Sequence, residues 1–285
     1  MNTSKEAANL RMAKSYDIPS VPLVLTRILQ ILSEDTSSAK RLEDLIRHDP
    51  ALSARILRLA NSAFYSFRYD VKTISHAIAL LGLKVVKSLA IGVSIFQSFT
   101  QGMKKEATLI NGLWVHSFGT ALLSQEIWTR CGDQKEAEFA FLCGLLHDLG
   151  KVLFFKNNPA RYAEMYVAKK GEHGPDISAL ELESFDIDHA TAGAILAKQW
   201  ALPPDLALVI RLHHAPLTSE KPLVAAVSLA DILAKTYEIG YDGDRIIPPD
   251  LDKILAPLNL DPEGFEQIRA SAETKRRDAV DFFQF

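Results

Sequence analysis

The sequence predicts an all-α protein. Apolar residues recur at the spacing of a helix face along almost the whole chain, runs with strand-like alternation are scarce, and proline or glycine stands at several of the segment ends. At 285 residues and 48% hydrophobic content, the chain can bury a substantial core, as one large domain or two small ones.

The elements follow in order. Leu25, Ile28, Leu29 and Leu32 mark a first helix that Pro22 can open, since proline fits a first helical turn. Residues Ser33 to Ser38 read as a connection, and Leu42, Leu45 and Ile46 form a short second stripe. His48-Asp49-Pro50 ends it, with Pro50 both stopping one helix and starting the next, which carries Leu52, Ile56 and Leu59. Ile74, Ala77, Ile78 and Leu81 follow, with Gly82 as a C-terminal stop. Val85, Val86, Leu89, Ala90, Val93 and Phe96 then make a longer apolar helix, and the polar stretch Thr100 to Glu106 reads as a boundary.

Beyond that boundary, Leu109, Leu113, His116, Thr120, Leu123 and Ile127 share one face, so His116 points with the core residues. Ala140, Cys143, His147 and Lys151 form a similar line on the next helix, with Gly150 supplying its end. Asp188 reads as the N-cap of a helix running to Trp200, with His189 in its first turn. Pro203-Pro204 opens a helix ending at His213-His214, and Leu223 to Ala234 is apolar except for Ser228 and Asp231.

Composition narrows the function. A net charge of -3 gives no electrostatic reason to expect nucleic acid or anionic lipid as the main ligand. Residues Met1 to Tyr16 lack the continuous apolar stretch of a signal peptide, and no segment reaches membrane-span length without polar interruption, so a cytoplasmic protein is expected. Cys131 and Cys143 lack a Cys-x-x-Cys spacing and read as reduced thiols.

Five of the eight histidines, His116, His147, His189, His213 and His214, fall with Asp148 and Asp231 into a series on or at the ends of apolar helices. An ionised Asp231 in so apolar a helix costs several kcal/mol to desolvate unless a cation or strong donors compensate it. Imidazole and carboxylate together suit iron, manganese, nickel or zinc better than calcium. Taken singly, each residue has a structural explanation: a hydrogen-bonded core aspartate, a helix-end histidine, a solvated lysine at a helix C-terminus for Lys151. Lys151, four residues after His147, would otherwise place an ammonium where a phosphate oxygen could meet it. His48, His76 and His173 lie outside the series and read as ordinary histidines. Neither a nucleophile elbow nor a Gly-rich phosphate loop is present.

His116, the segment Gly144-Leu145-Leu146-His147-Asp148-Leu149-Gly150-Lys151, and Asp231 in Ser228-Leu229-Ala230-Asp231 together resemble the HD superfamily of metal-dependent phosphohydrolases. The stretches Ile18-Pro19-Ser20-Val21-Pro22, Asp49-Pro50-Ala51-Leu52-Ser53, Leu57-Arg58-Leu59-Ala60-Asn61-Ser62-Ala63 and Ala77-Ile78-Ala79-Leu80-Leu81-Gly82-Leu83 are similar to the HDOD family, the HD-related output domains of bacterial signalling proteins. That resemblance covers Ile18 to His214. It implies an N-terminal extension over 1–17, a helical bundle over 18–105, an HD-like helical domain over 106–240 and a C-terminal helical extension over 241–285. It also implies a bacterial regulatory role with protein signalling partners, and leaves the oligomeric state open.

His189 and His213-His214 match additional ligands of the related HD-GYP phosphodiesterases. On that match His116, His147, Asp148, His189, His213, His214 and Asp231 hold one or two divalent transition-metal ions, iron or manganese ahead of nickel or zinc. Asp148 would bridge, and Lys151 would face the phosphate of a small-molecule substrate. The sequence departs from those enzymes in two places. Ala215-Pro216-Leu217 follows His214 where they continue into a Gly-Tyr-Pro loop, and Gly112 stands four residues before His116, where some carry a glutamate ligand. Three readings follow: a signalling protein with a metal centre, an active metal-dependent phosphohydrolase with Lys151 and Asp148 in catalytic roles, and a metal-free interaction scaffold.

Overall fold

The computed structural model describes residues 16–18, 20–21, 26–27, 38–61, 69–100, 103, 105–168, 176–243 and 251–283, and these are helical with no strand among them. Most of the expected first helix, most of the 33–38 connection and His173 lie outside the described residues. Helix α1 spans Ser38–Arg47, α2 Pro50–Ala60, α3 Ile74–Leu81 and α4 Leu83–Thr100. Their limits fall where the prolines and Gly82 put them: Pro50 opens α2, and the Gly82 N–H donates to the Ile78 carbonyl to close α3. Leu42, Ile46, Leu52, Ile56, Ile74 and Ala77 are buried together, so α1, α2 and α3 share one apolar centre.

The second group is built round α5, Ala107–Cys131, whose 25 residues extend about 37 Å. From Leu113 to Ser124 every α5 residue is buried. A helix apolar and buried on all faces belongs at the centre of a bundle. Around it pack α6 (Ala137–Leu146), α12 (Pro222–Thr236) and α14 (Pro262–Phe283). Next to these lie α7 (Leu149–Asn157), α8 (Pro159–Ala168), α9 (Ile177–Phe185), α10 (His189–Gln199) and α11 (Pro204–Leu212), and α13 (Leu251–Leu255) precedes α14. Helix α4 packs on α6 and α7, and α14 reaches from α5 back to α2, so the N-terminal bundle is held against the second group through both α4 and α14.

One expectation about this region is corrected. Ala140, Cys143, His147 and Lys151 do not lie on one helix: α6 stops at Leu146, His147 and Asp148 form a turn, and α7 starts at Leu149. Gly150 therefore sits in the first turn of α7 and does not end a helix. Its role is close approach, because a Cβ there would meet the His189 carbonyl oxygen at 2.0 Å. Among the described residues no single helix is long and apolar enough to cross a membrane. Cys143 is buried, Cys131 is half-buried, and neither forms a disulfide.

Candidate metal centre

Each of the seven residues singled out in the sequence is delivered to one place by a helix or a helix end. His116 comes from the middle of α5, and His147 and Asp148 from the turn between α6 and α7. His189 is the first residue of α10, where Asp188 caps the helix by accepting from the Thr191 N–H at 2.6 Å. His213 and His214 follow the last turn of α11, and Asp231 lies within α12. All but His214 are buried; His214 is exposed.

Two groups form. His116, His147 and Asp231 have ligand atoms within 4.8 Å of one another, as do Asp148, His189, His213 and His214. In the first, His116 Nε2 is 2.9 Å and His147 Nε2 is 3.8 Å from Asp231 Oδ1. In the second, Asp148 Oδ1 is 3.3 Å from His189 Nε2 and 3.5 Å from His213 Nε2, while the His189 and His214 Nε2 atoms are 2.9 Å apart. Asp148 stands between the groups, because its other oxygen, Oδ2, is 3.3 Å from His147 Nε2.

The spacing and the unmet hydrogen bonds both fit a divalent ion. Ligands about 2.1 Å from an ion and at right-angled to tetrahedral directions stand about 3.0 to 3.4 Å apart. His147 Nε2, Asp148 Oδ1, His213 Nε2 and Asp231 Oδ1 are buried and have no hydrogen-bond partner, although a buried polar atom normally has one. Their neighbours also fix the imidazoles. His147 Nδ1 lies 2.7 Å from the Gly144 carbonyl and His213 Nδ1 2.8 Å from the Ile210 carbonyl. A carbonyl only accepts, so Nδ1 carries the proton in both rings and the Nε2 lone pair faces the cluster.

Electrostatics keep the carboxylates ionised. Burial pushes Asp148 up, but His147 and Lys151 outweigh it and hold the group well below the usual carboxylate range. Asp231 behaves alike: burial raises it, and Lys235 and His116 bring it well below. For His147, burial works downward and Asp148 and Asp231 upward, with a net rise. Burial dominates at His213 and lowers it to about 4.

His213 therefore makes the metal-free protein acid-sensitive. Below about 6.5 an unfolded histidine takes up a proton that the folded one refuses until about 4, so protons favour unfolding across that window. The contribution lost on acidification reaches roughly 3 kcal/mol. Urea unfolding of chelator-treated wild type and His213→Gln between those pH values checks it: the wild type should lose more stability on acidification, and parallel curves would refute the assignment.

Lys151 is placed otherwise than the sequence suggested. It lies in the first turn of α7, fully buried, and its Nζ donates to Asp148 Oδ2 at 2.9 Å and to Asp242 Oδ2 at 2.8 Å. It is a buried, ion-paired lysine and not a solvated helix-end one. His48 and His76 are indeed outside the cluster, on α1 and α3 or their ends, and His76 is exposed.

The signatures beginning at Asp49, Leu57 and Ala77 lie mostly on α2, α3 and the start of α4, and the HDOD domain family matches residues 18–216. The chain belongs to the HDOD family. A solved HDOD domain protein of unknown function from Geobacter sulfurreducens superposes with a TM-score of 0.74 at 25% identity, over 95% of this chain and 98% of that one. A candidate phosphohydrolase from Shewanella amazonensis SB2B superposes with a TM-score of 0.75 at 28% identity, over 98% of each chain. An uncharacterized Treponema pallidum (strain Nichols) protein is 27% identical over 277 residues, which are 95% of this chain. This HDOD chain spans about half, 51%, of that relative's length.

Three buried charges of this HDOD protein escaped the sequence reading. Lys235, four residues after Asp231 on α12, donates to Asp231 Oδ2 at 3.1 Å. Their spacing in so apolar a helix was the available signal. Asp242 lies in the turn after α12 and accepts from both lysines. Glu181 on α9 accepts through Oε2 from the backbone N–H and the Nδ1–H of His189, both at 2.7 Å, and through Oε1 from the Tyr162 hydroxyl at 2.5 Å. A carboxylate behind a ligating imidazole sets its orientation and raises its basicity. Glu181→Gln should accordingly weaken metal binding about 10 to 100-fold in a competitive chelator titration, with the helical content retained. An affinity equal to wild type would remove Glu181 from the centre.

Proposed function

We propose that this HDOD protein is a regulatory protein built round a dinuclear divalent-metal centre. His116, His147 and Asp231 hold one ion, His189, His213 and His214 the other, and Asp148 bridges them. The observation that carries this reading is the set of four buried ligand atoms, on His147, Asp148, His213 and Asp231, that lack any hydrogen-bond partner. Mixed nitrogen and oxygen donors favour iron or manganese, with nickel and zinc as competitors. The family's association with bacterial signalling supports regulation through a protein partner.

The chain's own groups prepare the centre before any ion arrives. Backbone carbonyls of Gly144 and Ile210 and the Glu181 side chain orient three imidazoles, and Lys151 and Lys235 keep the aspartates charged in a buried setting. An ion bound there supplies Lewis acidity and lowers the pKa of a coordinated water.

A second reading, hydrolysis of a phosphoester, is favoured by the exposure of His214, which opens the second group to solvent, and by the likeness to the candidate phosphohydrolase. In it Asp148 acts through its position between the ions, and Lys151 holds Asp148 and does not touch substrate.

The two readings separate experimentally. Purified chain loaded with manganese or iron should contain metal and melt at a higher temperature than the chelated form, because a ligand that binds only the folded state stabilises it by mass action. Absence of both effects would leave only the metal-free scaffold. Metal-dependent turnover of nucleotides, cyclic dinucleotides or simple phosphoesters would favour hydrolysis. Metal binding without turnover favours regulation.

A further inference from the structure

The turn that follows α12 brings an additional carboxylate to the centre, from a part of the chain with no recognisable motif. After Thr236 the backbone reverses through Glu238 and Gly240, both at positive φ, 54° and 65°. A Cβ on Gly240 would lie 2.3 Å from the His116 nitrogen and 2.4 Å from the Gly112 oxygen, so the turn rests directly on α5 one helical turn before His116. Tyr241 fastens it there: its N–H donates to the Gly112 carbonyl at 3.0 Å, and its own carbonyl accepts from the Tyr166 hydroxyl at 2.5 Å. Gly112 contributes no side chain at this place, and the next residue of the turn, Asp242, is buried beside it at 1% exposure.

The two oxygens of Asp242 are treated differently. Oδ2 accepts from Lys151 at 2.8 Å and lies 3.2 Å from Lys235 Nζ, whereas Oδ1 is buried without a hydrogen-bond partner. Were Asp242 only a counter-ion for the lysines, Oδ1 would be left desolvated with nothing to compensate it. It is not remote from the ligands: His116, Asp148 and Asp242 each offer an atom within 4.8 Å of the others. Asp148, Asp231 and Asp242 also outnumber the two ammonium groups they share, so the lysines leave one carboxylate charge in this corner for a cation to neutralise.

We propose that Asp242 is a metal ligand, its Oδ1 coordinating the same divalent ion as His116 while Lys151 and Lys235 hold Oδ2. This rests on the metal-centre reading above and extends its ligand set past the seven residues of the sequence series.

Manganese is the probe. The full chain, as wild type, Asp242→Asn and, for comparison, Asp205→Asn at a half-exposed carboxylate paired with Lys221, is titrated with Mn²⁺ and the free ion counted by electron paramagnetic resonance. Asp242→Asn should lose one ion or bind it more than about 100-fold more weakly, beyond what removing a group that only supports a ligand costs. Asp205→Asn should match wild type. An Asp242→Asn variant that keeps the wild-type ion count with affinity within about 100-fold overturns the proposal and leaves the metal centre standing, whereas a wild type that takes up no Mn²⁺ overturns both.

Should Asp242→Asn fail to fold, an anomalous-difference map of Mn²⁺-soaked wild-type crystals decides. A peak about 2.2 Å from Asp242 Oδ1 supports the assignment. A peak on His116 with Oδ1 outside bonding distance rejects it.

Discussion

Asp148→Ala should empty the whole centre, and His214→Ala only half of it. Asp148 is within 3.3 Å of His147 through Oδ2, and within 3.3 and 3.5 Å of His189 and His213 through Oδ1. A bridging ligand is a bond to both ions, so its loss should lower metal content at least roughly 100-fold at fixed free metal, the upper end of what removing an indirect partner costs. His214 belongs to one group alone and stands at its exposed edge. Metal analysis after gel filtration reads the difference as none against one ion per chain. Two ions retained by Asp148→Ala would dismantle the bridged arrangement, and none retained by His214→Ala would show that the two groups do not bind independently.

Gly150→Ala should be among the most damaging single-methyl additions in the described residues. The added Cβ would lie 2.0 Å from the His189 carbonyl oxygen and 2.8 Å from the His189 Cα. Both contacts are backbone, so no side-chain rotation relieves them, and α7 must move away from α10. Overpacking of a buried contact typically costs about 1 to 3 kcal/mol, and an unyielding backbone neighbour places this case at or above that upper bound. The displacement also draws Asp148 from His189, so urea unfolding and Mn²⁺ affinity should both deteriorate. An alanine variant with wild-type values in both would mean that the α7–α10 contact is looser than it stands here.

Much of this protein was legible in its sequence because the informative signals are local. Helical periodicity and the prolines and glycines at helix ends depend on neighbours a few residues apart, and α1 to α6 and α10 to α12 lie close to where those signals put them. The seven cluster residues were legible for the same reason, since His147-Asp148 and His213-His214 are adjacent pairs in apolar surroundings. What escaped depends on tertiary contact. Glu181 lies in Glu181-Leu182-Glu183 and resembles exposed Glu183 until α9 is seen to pack on α10. Asp242 sits in Tyr241-Asp242-Gly243-Asp244, a run that reads as a polar turn. The break at His147 carries no proline, and Gly150, the next glycine along the chain, serves a contact with α10 instead.

That break has a mechanical corollary. His147 is tied to α6 through the Gly144 carbonyl, whereas Asp148 is the residue from which α7 departs. Helix α6 packs chiefly on α5 and α7 chiefly on α10, and both touch α4. A tilt between α6 and α7 would therefore move His147 against Asp148, and with them the two ligand groups to which they belong. The junction acts as a caliper whose jaws are the two ligand groups and whose handles are helices α6 and α7.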